Sequence, residues 1–221
     1  MSGMLIAEYL LSQRKEKGLL HENGAFVKTI VSTNMADAIA AEYNVKLIEV
    51  LTGFKYIGEQ IKFFEQQGTY EYEFGFEESY GCLVGTHARD KDAVVASMLI
   101  CEMAAYYRKK GKTLANVIDE IYKEYGYYRN TTLSFEFDGA SGMKKMKEIM
   151  DNLRENPLKT VNGETVKKIY DYLKSEEKDV ATGEITPIDL PKSNVLHFCL
   201  GGNAVIIRPS GTEPKIKLYI T

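Results

Sequence analysis

The sequence predicts an α/β domain followed by an α+β domain, and three observations carry that prediction. Over roughly the first 125 residues, segments with apolar groups one helical turn apart alternate with short β-branched runs. After the aromatic run Tyr125-Gly-Tyr-Tyr128 that alternation breaks and strands begin to follow one another. Near the C-terminus two apolar runs flank Gly201-Gly202, a hairpin signal.

Leu5, Ile6, Ala7, Tyr9, Leu10 and Leu11 predict a helix over residues 3–16, ending before Gly18. Ala25 to Ser32 is β-branched and bounded by Asn23-Gly24, so it reads as a strand. Asn34 or Thr33 then caps a helix from Met35 to Tyr43. Val45–Leu51 is the next strand, Phe54–Gln67 a helix and Tyr70–Phe74 a third strand; this succession implies a mixed sheet covered by helices. A polar loop leads to two long helices, Ala93–Lys110 and Thr113–Tyr125, parted by Gly111. In the second domain, strand Thr131–Phe137, helix Gly142–Glu155 and strand Thr165–Leu173 precede a polar stretch, Ser175–Thr186, that reads as an exposed loop. The runs Val195–Leu200 and Ala204–Ile207 form the hairpin, and Lys215–Ile220 is the last strand. A small antiparallel sheet with one or two helices follows.

The bulk properties exclude some functions. A chain of 221 residues with 44% hydrophobic residues has room for two modest domains. Its net charge of -3 argues against a nucleic-acid or membrane-surface partner, which calls for a basic face. Cys82, Cys101 and Cys199 form neither a CxxC pair nor a disulfide framework, and read as reduced thiols of a cytoplasmic protein, with Cys101 buried on its helix. No apolar run approaches a membrane span, and the N-terminus lacks the features of an export signal. His21, His87 and His197 show no metal-ligand spacing.

Four segments carry candidate chemistry. Arg208-Pro-Ser-Gly-Thr-Glu-Pro-Lys215 offers a forked guanidinium, the hydroxyls of Ser210 and Thr212, and at Gly211 a backbone able to turn its N–H groups toward an anion. The same composition also makes an ordinary turn, and both readings stay open. Gly75-Phe-Glu-Glu-Ser-Tyr-Gly81 sets carboxylates and a hydroxyl between glycines just after a strand, which suits either vicinal sugar hydroxyls or a solvated acidic turn. Ala88-Arg-Asp-Lys-Asp92 opens a helix: Asp92 is a cap, and Lys91 is a surface charge unless something lowers its pKa. Thr52-Gly-Phe-Lys55 places a lysine at a helix start, where an anion or plain solvent suits it.

Together these strings, with the Ile100-Cys-Glu-Met-Ala-Ala-Tyr-Tyr107 and Leu190-Pro-Lys-Ser-Asn194 segments, resemble the α-D-phosphohexomutase family, in its bacterial phosphoglucomutase-like branch. The likeness runs nearly end to end and implies that residues 1–127 are that family's third domain and residues 128–221 its C-terminal, TATA-box-binding-protein-like domain. It implies that Glu77, Ser79 and Lys55 contact the sugar while Glu78 and Tyr80 are structural. Arg208, Ser210, Gly211, Thr212 and Lys217 would hold the phosphate, and Lys91 would be the general acid/base, its pKa lowered by burial or by Arg89. Cys82 stands where some relatives carry a histidine, which favours the lysine-dependent branch. The family's donor-serine string Thr-x-Ser-His-Asn and its aspartate string Asp-x-Asp-x-Asp do not occur. The resemblance therefore implies the C-terminal, substrate-binding half of an intramolecular phosphotransferase that interconverts glucose 1-phosphate and glucose 6-phosphate. Magnesium, a hexose bisphosphate activator and two N-terminal domains would belong to the full enzyme, a phosphosugar would be the ligand, and the chain alone would be inactive. A pentose- or mannose-phosphate mutase, and a non-catalytic sugar-phosphate binding module, remain open on the same residues.

Overall fold

The computed structural model describes residues 2–137, 141–211 and 213–221. The chain divides into two compact units, Met1–Arg129 and Asn130–Thr221. The first unit comprises α1 (Ser2–Glu16), β1 (Gly24–Thr29), α2 (Met35–Glu42), β2 (Lys46–Val50), α3 (Phe54–Gln67), β3 (Glu71–Phe76), β4 (Cys82–Val84), α4 (Ala93–Lys109) and α5 (Leu114–Tyr125). Its sheet has the order β2-β1-β3-β4, parallel except for β4, which pairs antiparallel with β3. Helices α1, α2, α4 and α5 cover one face, over Phe26, Phe74 and Phe76. Helix α3 covers the other, its Ile57, Ile61 and Phe64 against Val27, Val50 and Tyr72. Every residue of β1 is buried, the state expected of a central parallel strand covered on both sides. Lys28 is fully buried within it because Asp37, Glu49 and Asn34 all accept from its Nζ at 2.8–3.0 Å.

The helix starts follow local chemistry. Asp92 Oδ1 accepts from the N–H groups of Val94 and Val95, and Thr113 with Asn116 forms a capping box at α5. At α2 it is Thr33 Oγ1 that accepts from the Met35 N–H, while the Asn34 side chain turns to Lys28. One expectation fails here: Cys101 is exposed. Helix α4 is apolar nearly all round, so its sequence does not mark an inward face; Leu99 and Met103 point into the core and Val94, Met98 and Cys101 point out.

The second unit has one helix among the described residues, α6 (Gly142–Glu155). Its strands are β5 (Thr131–Glu136), β6 (Thr160–Val161), β7 (Glu164–Thr165), β8 (Lys168–Asp171), β9 (Glu176–Asp179), β10 (Ile185–Pro187), β11 (Leu196–Cys199), β12 (Ala204–Pro209) and β13 (Lys215–Ile220). Seven of them form an antiparallel sheet in the order β10-β9-β8-β11-β12-β13-β5. Met146 and Met150 of α6 pack on one face of it, over Leu196, Phe198, Val205, Ile207 and Ile216. The α/β plus α+β class is the one the sequence predicts. The loop expected over Ser175–Thr186 is instead the β9–β10 hairpin at one edge of the sheet. Its charges are compatible with a strand because an edge leaves them in solvent, where Lys168 meets Glu177 across β8 and β9. The strand expected over Thr165–Leu173 is likewise interrupted, Thr165 belonging to the small β6–β7 hairpin.

Candidate functional site

Parallel pairing of β1, β2 and β3 delivers their C-terminal ends to one edge of the sheet, where ligands of open α/β sheets are held. Three loops meet there: the one after Thr29, Thr52-Gly53 before α3, and the loop of residues 77–81 between β3 and β4. The last is closed by a 2.8 Å bond from the Glu77 N–H to the Gly81 carbonyl. The Glu77 side chain is only 9% exposed, and its Oε1 lies 4.0 Å from Lys91 Nζ, which in turn sits 6.0 Å from the Phe54 ring centroid. A glycine is required at position 81 for this approach: a Cβ there would stand 2.5 Å from Glu77 Oε1 and 2.8 Å from Lys91 Cδ. The β3–β4 hairpin thus brings together Glu77 and Lys91 from separate segments, and adds Phe54 and Gly81, which the sequence reading did not single out.

Around this pair the loop is braced. Glu78 Oε2 accepts from Thr29 Oγ1 at 3.1 Å, and that hydroxyl also meets Ser32 Oγ at 2.8 Å, tying the loop to the end of β1. Ser79 is exposed and donates to Glu78 Oε1 at 3.3 Å. Tyr80, 91% exposed, holds a left-handed φ of 67° at the tip. Lys55 is exposed on the first turn of α3, its Nζ 4.7 Å from the Tyr56 ring centroid, so it is not gathered to Glu77.

The environment expected for Lys91 is absent. Its side chain is 53% exposed and its Nζ lies near two carboxylates, Glu77 and Asp90, the latter at 3.4 Å. Arg89 pairs with Glu65 and donates to the Thr86 and Ala88 carbonyls, and so is not the cation beside Lys91. The Asp90 carboxyl is held below the usual range, first by the Lys91 N–H. Within the 85–92 loop His87 Nε2 meets Asp92 Oδ2 at 2.9 Å, and the Arg89 carbonyl rests on α3 at Gly58. Hydrogen bonding from His87 and from the helix N–H groups holds Asp92 low, as a charged cap should be.

In the second unit, the register sets Arg208 of β12 directly opposite Lys217 of β13, and Lys217 opposite Ser134 of β5. Directly opposed residues share a face, so the two cations stand together at the mouth of the loop of residues 210–214. Within that loop the Ser210 N–H donates to the Lys215 carbonyl at 2.8 Å, and Ser210 Oγ accepts from the Glu213 N–H at 3.2 Å. The Glu213 carboxyl is held below its ordinary range, chiefly by Lys215, with which it is ion-paired. Gly211 is exposed, its φ is not left-handed, and a Cβ would meet nothing within 4 Å. Thr212 lies outside the described residues. Among the described residues no group of three or more His, Cys, Asp or Glu side chains is placed to hold a metal ion, and no helix is long and apolar enough to cross a membrane.

Residues 1–125 match the family model described as phosphoglucomutase/phosphomannomutase, alpha/beta/alpha domain III. The chain belongs to the phosphoglucomutase/phosphomannomutase family. Within that family it is 38% identical over 220 residues to the phosphoglucomutase of Staphylococcus aureus (strain MRSA252), an alignment that takes in all of this chain and 40% of the relative. It is 37% identical over 195 residues to the phosphoglucomutase of Staphylococcus saprophyticus, covering 88% of this chain and 35% of that protein. The chain therefore spans about two fifths of the length of these phosphoglucomutases. Among solved structures, its fold is similar to that of the exocytosis-sensitive phosphoprotein pp63/parafusin, a phosphoglucomutase, from Paramecium in its open form. The TM-score is 0.62 at 21% identity, over 99% of this chain and 35% of the other. A phosphoglucomutase/phosphomannomutase family protein from Burkholderia thailandensis gives a TM-score of 0.51 at 13% identity, over 99% of this chain and 36% of the other.

Proposed function

We propose that this chain is the substrate-binding, C-terminal half of a phosphoglucomutase, holding a hexose phosphate while glucose 1-phosphate and glucose 6-phosphate are interconverted. The observation that carries the reading is the Arg208–Lys217 pair. Like charges directly opposed on neighbouring strands repel, and an anion seated between them converts that repulsion into attraction. Gly211 supports it, because neither backbone strain nor internal packing calls for glycine there; the open side is left to a group approaching from outside. In this reading Arg208, Lys217, Ser210, Gly211 and Thr212 hold the phosphate that is not reacting. Glu77, with Ser79, accepts from sugar hydroxyls, and Lys55 lies at the margin of that site.

Lys91 is proposed to move the proton of the reacting hydroxyl. It lies 4.0 Å from the Glu77 carboxylate and half in solvent, and substrate binding would displace the water around it. Magnesium and a hexose bisphosphate activator belong, on this proposal, to the full-length enzyme with its two further domains.

Thermal shift with inorganic phosphate and with glucose 1-phosphate tests the division of labour. A ligand at about ten times its Kd adds on the order of 1.4 kcal/mol. Arg208→Ala should weaken both ligands at least ~10-fold, since hydrogen bonds to charged groups contribute about 1.5 to 3 kcal/mol each. Glu77→Ala should weaken glucose 1-phosphate alone. Equal loss of phosphate binding in both variants, or none in Arg208→Ala, would sink the proposal, and magnesium-dependent mutase turnover by this chain alone would overturn the half-enzyme reading.

A further inference from the structure

On the face of the second unit's sheet opposite α6, His197 and Cys199 stand two residues apart on β11, with Cys199 Sγ 3.2 Å from His197 Nε2. Both side chains are partly accessible. Tyr170, directly opposite His197 on β8, stacks on the imidazole with centroids 5.0 Å apart and an interplanar angle of 28°, which fixes the plane of the ring. Lys168 is directly opposite Cys199, with its Nζ bonded to Glu177. Lys167 reaches the Gly201 turn that follows the thiol, where a Cβ on Gly201 would stand 3.0 Å from Lys167 Nζ. The phosphate and sugar loops use none of these residues.

We infer that Cys199 is a modification site: a thiol paired with His197 for exchange with small anionic disulfides. The imidazole accepts the thiol proton and leaves a thiolate–imidazolium pair, the arrangement that makes a cysteine nucleophilic. The thiolate attacks one sulfur of the disulfide, the S–S bond breaks, and the second sulfur leaves as a thiolate that takes up a proton. The product is a mixed disulfide on Cys199 and one equivalent of small thiol, with no other oxidant needed. Lys167, at the turn beside the thiol, suits a disulfide whose carried groups are carboxylates. The chain supplies its own controls: Cys101 is exposed and has no such partner among the described residues, and Cys82 is buried, with its thiol pKa pushed up by that burial.

An unpaired thiol with a pKa near 8.5 is only about 3% thiolate at neutral pH, and a histidine-paired one is mostly thiolate. Part of that advantage is lost because a less basic thiolate is a weaker nucleophile. The folded chain, treated with glutathione disulfide and followed by peptide mass spectrometry, should therefore carry the adduct on Cys199 at least about fivefold faster than on Cys101, with Cys82 unmodified. His197→Phe keeps a ring to stack on Tyr170 and removes the nitrogen; it should bring Cys199 to the rate of Cys101 or below. Cys101 reacting as fast as Cys199 in the unaltered chain overturns the inference, as does an unchanged ratio in folded His197→Phe. Should that variant lose its fold, the ratio in the unaltered chain decides alone.

Discussion

Two glycine-to-alanine substitutions have opposite expected signatures, and the difference follows from what each new Cβ would touch. At Gly81 the close atoms a Cβ meets are all side-chain atoms, Glu77 Oε1 at 2.5 Å, Lys91 Cδ at 2.8 Å and Glu77 Cγ at 3.0 Å, and the backbone there is not left-handed. Both side chains can swing away, so the fold should hardly respond, within about 0.5 kcal/mol or roughly 3 °C in Tm. The carboxylate is nevertheless displaced from the position proposed for the sugar hydroxyls. Losing one hydrogen bond to a charged group, at about 1.5 to 3 kcal/mol, lowers affinity for glucose 1-phosphate by roughly ten- to a hundredfold. At Gly58, inside α3, the Cβ would stand 2.2 Å from the Arg89 carbonyl oxygen, which belongs to the backbone. Helix propensity alone predicts that Gly58→Ala stabilises by about 1 kcal/mol. The close approach predicts the reverse: forcing the loop of residues 85–92 off the helix costs about 1 to 3 kcal/mol or more, enough to outweigh the gain. Thermal unfolding of the two variants, with calorimetric titration of glucose 1-phosphate, reads both effects. A Tm that rises in Gly58→Ala refutes the packing argument, and an unaltered glucose 1-phosphate affinity in Gly81→Ala refutes the role given to Glu77.

Arg154 and Asp171 form a buried pair in the second unit, joined through the Arg154 Nε at 3.0 Å with both side chains at most 10% exposed. Asp171→Ala leaves the guanidinium its bond to Asn194 Oδ1 but removes its carboxylate and the acceptor of the Leu173 N–H, and should destabilise by about 2 to 3 kcal/mol in urea unfolding, while replacing both residues by leucine should restore most of the loss; a single variant within about 0.5 kcal/mol of the unaltered chain would contradict this. Glu8, between the phenols of Tyr43 and Tyr125, has its carboxyl pKa raised by burial against the opposing pull of those two hydrogen bonds. The folded state thus keeps a proton that the unfolded chain releases. Its stabilising contribution is complete below the ordinary carboxylate value of about 4.3 and is lost as pH rises through the higher folded value. Glu8→Gln should therefore gain stability relative to the unaltered chain as pH rises above about 4.3, and a difference that stays constant with pH would refute it.

What was legible in the sequence and what was not divides along a physical line. Helices α3 and α6 and strand β13 have the bounds the sequence predicts, because local chemistry sets them: α3 starts after Gly53 and stops at Gly68 with a left-handed φ of 62°. Strand β4 is too short for any period to show, and β9–β10 carries its charges on an edge where no apolar alternation is needed. The burial of Cys101 failed for the converse reason, an apolar pattern too uniform to mark a face. The site shows the same division. Its residue types are visible in composition, but the Glu77–Lys91 contact and the carboxylates around Lys91 arise only when the β3–β4 hairpin folds residues 77 and 91 together.

The register of β12 on β13 shows how little separates the two cases. A strand's own sequence tells which of its residues share a face, and the length of the loop fixes what lies opposite. Ending β12 at Ile207 leaves Arg208 in the loop, with no strand partner. The strand in fact runs through Pro209, since a proline is tolerated at a strand end where the ladder asks for no N–H. Two further residues of pairing are enough to place Arg208 opposite Lys217, and so to turn a basic residue in a turn into half of a cationic pair. The role of that pair is itself measurable. Without ligand, Lys217→Met relieves the contact with Arg208 but gives up the attraction to Glu213, so the second unit's stability should stay within about 0.5 kcal/mol of the unaltered chain, while phosphate binding weakens severalfold. A variant that loses stability and keeps its phosphate affinity would show that Lys217 serves the sheet and not an anion.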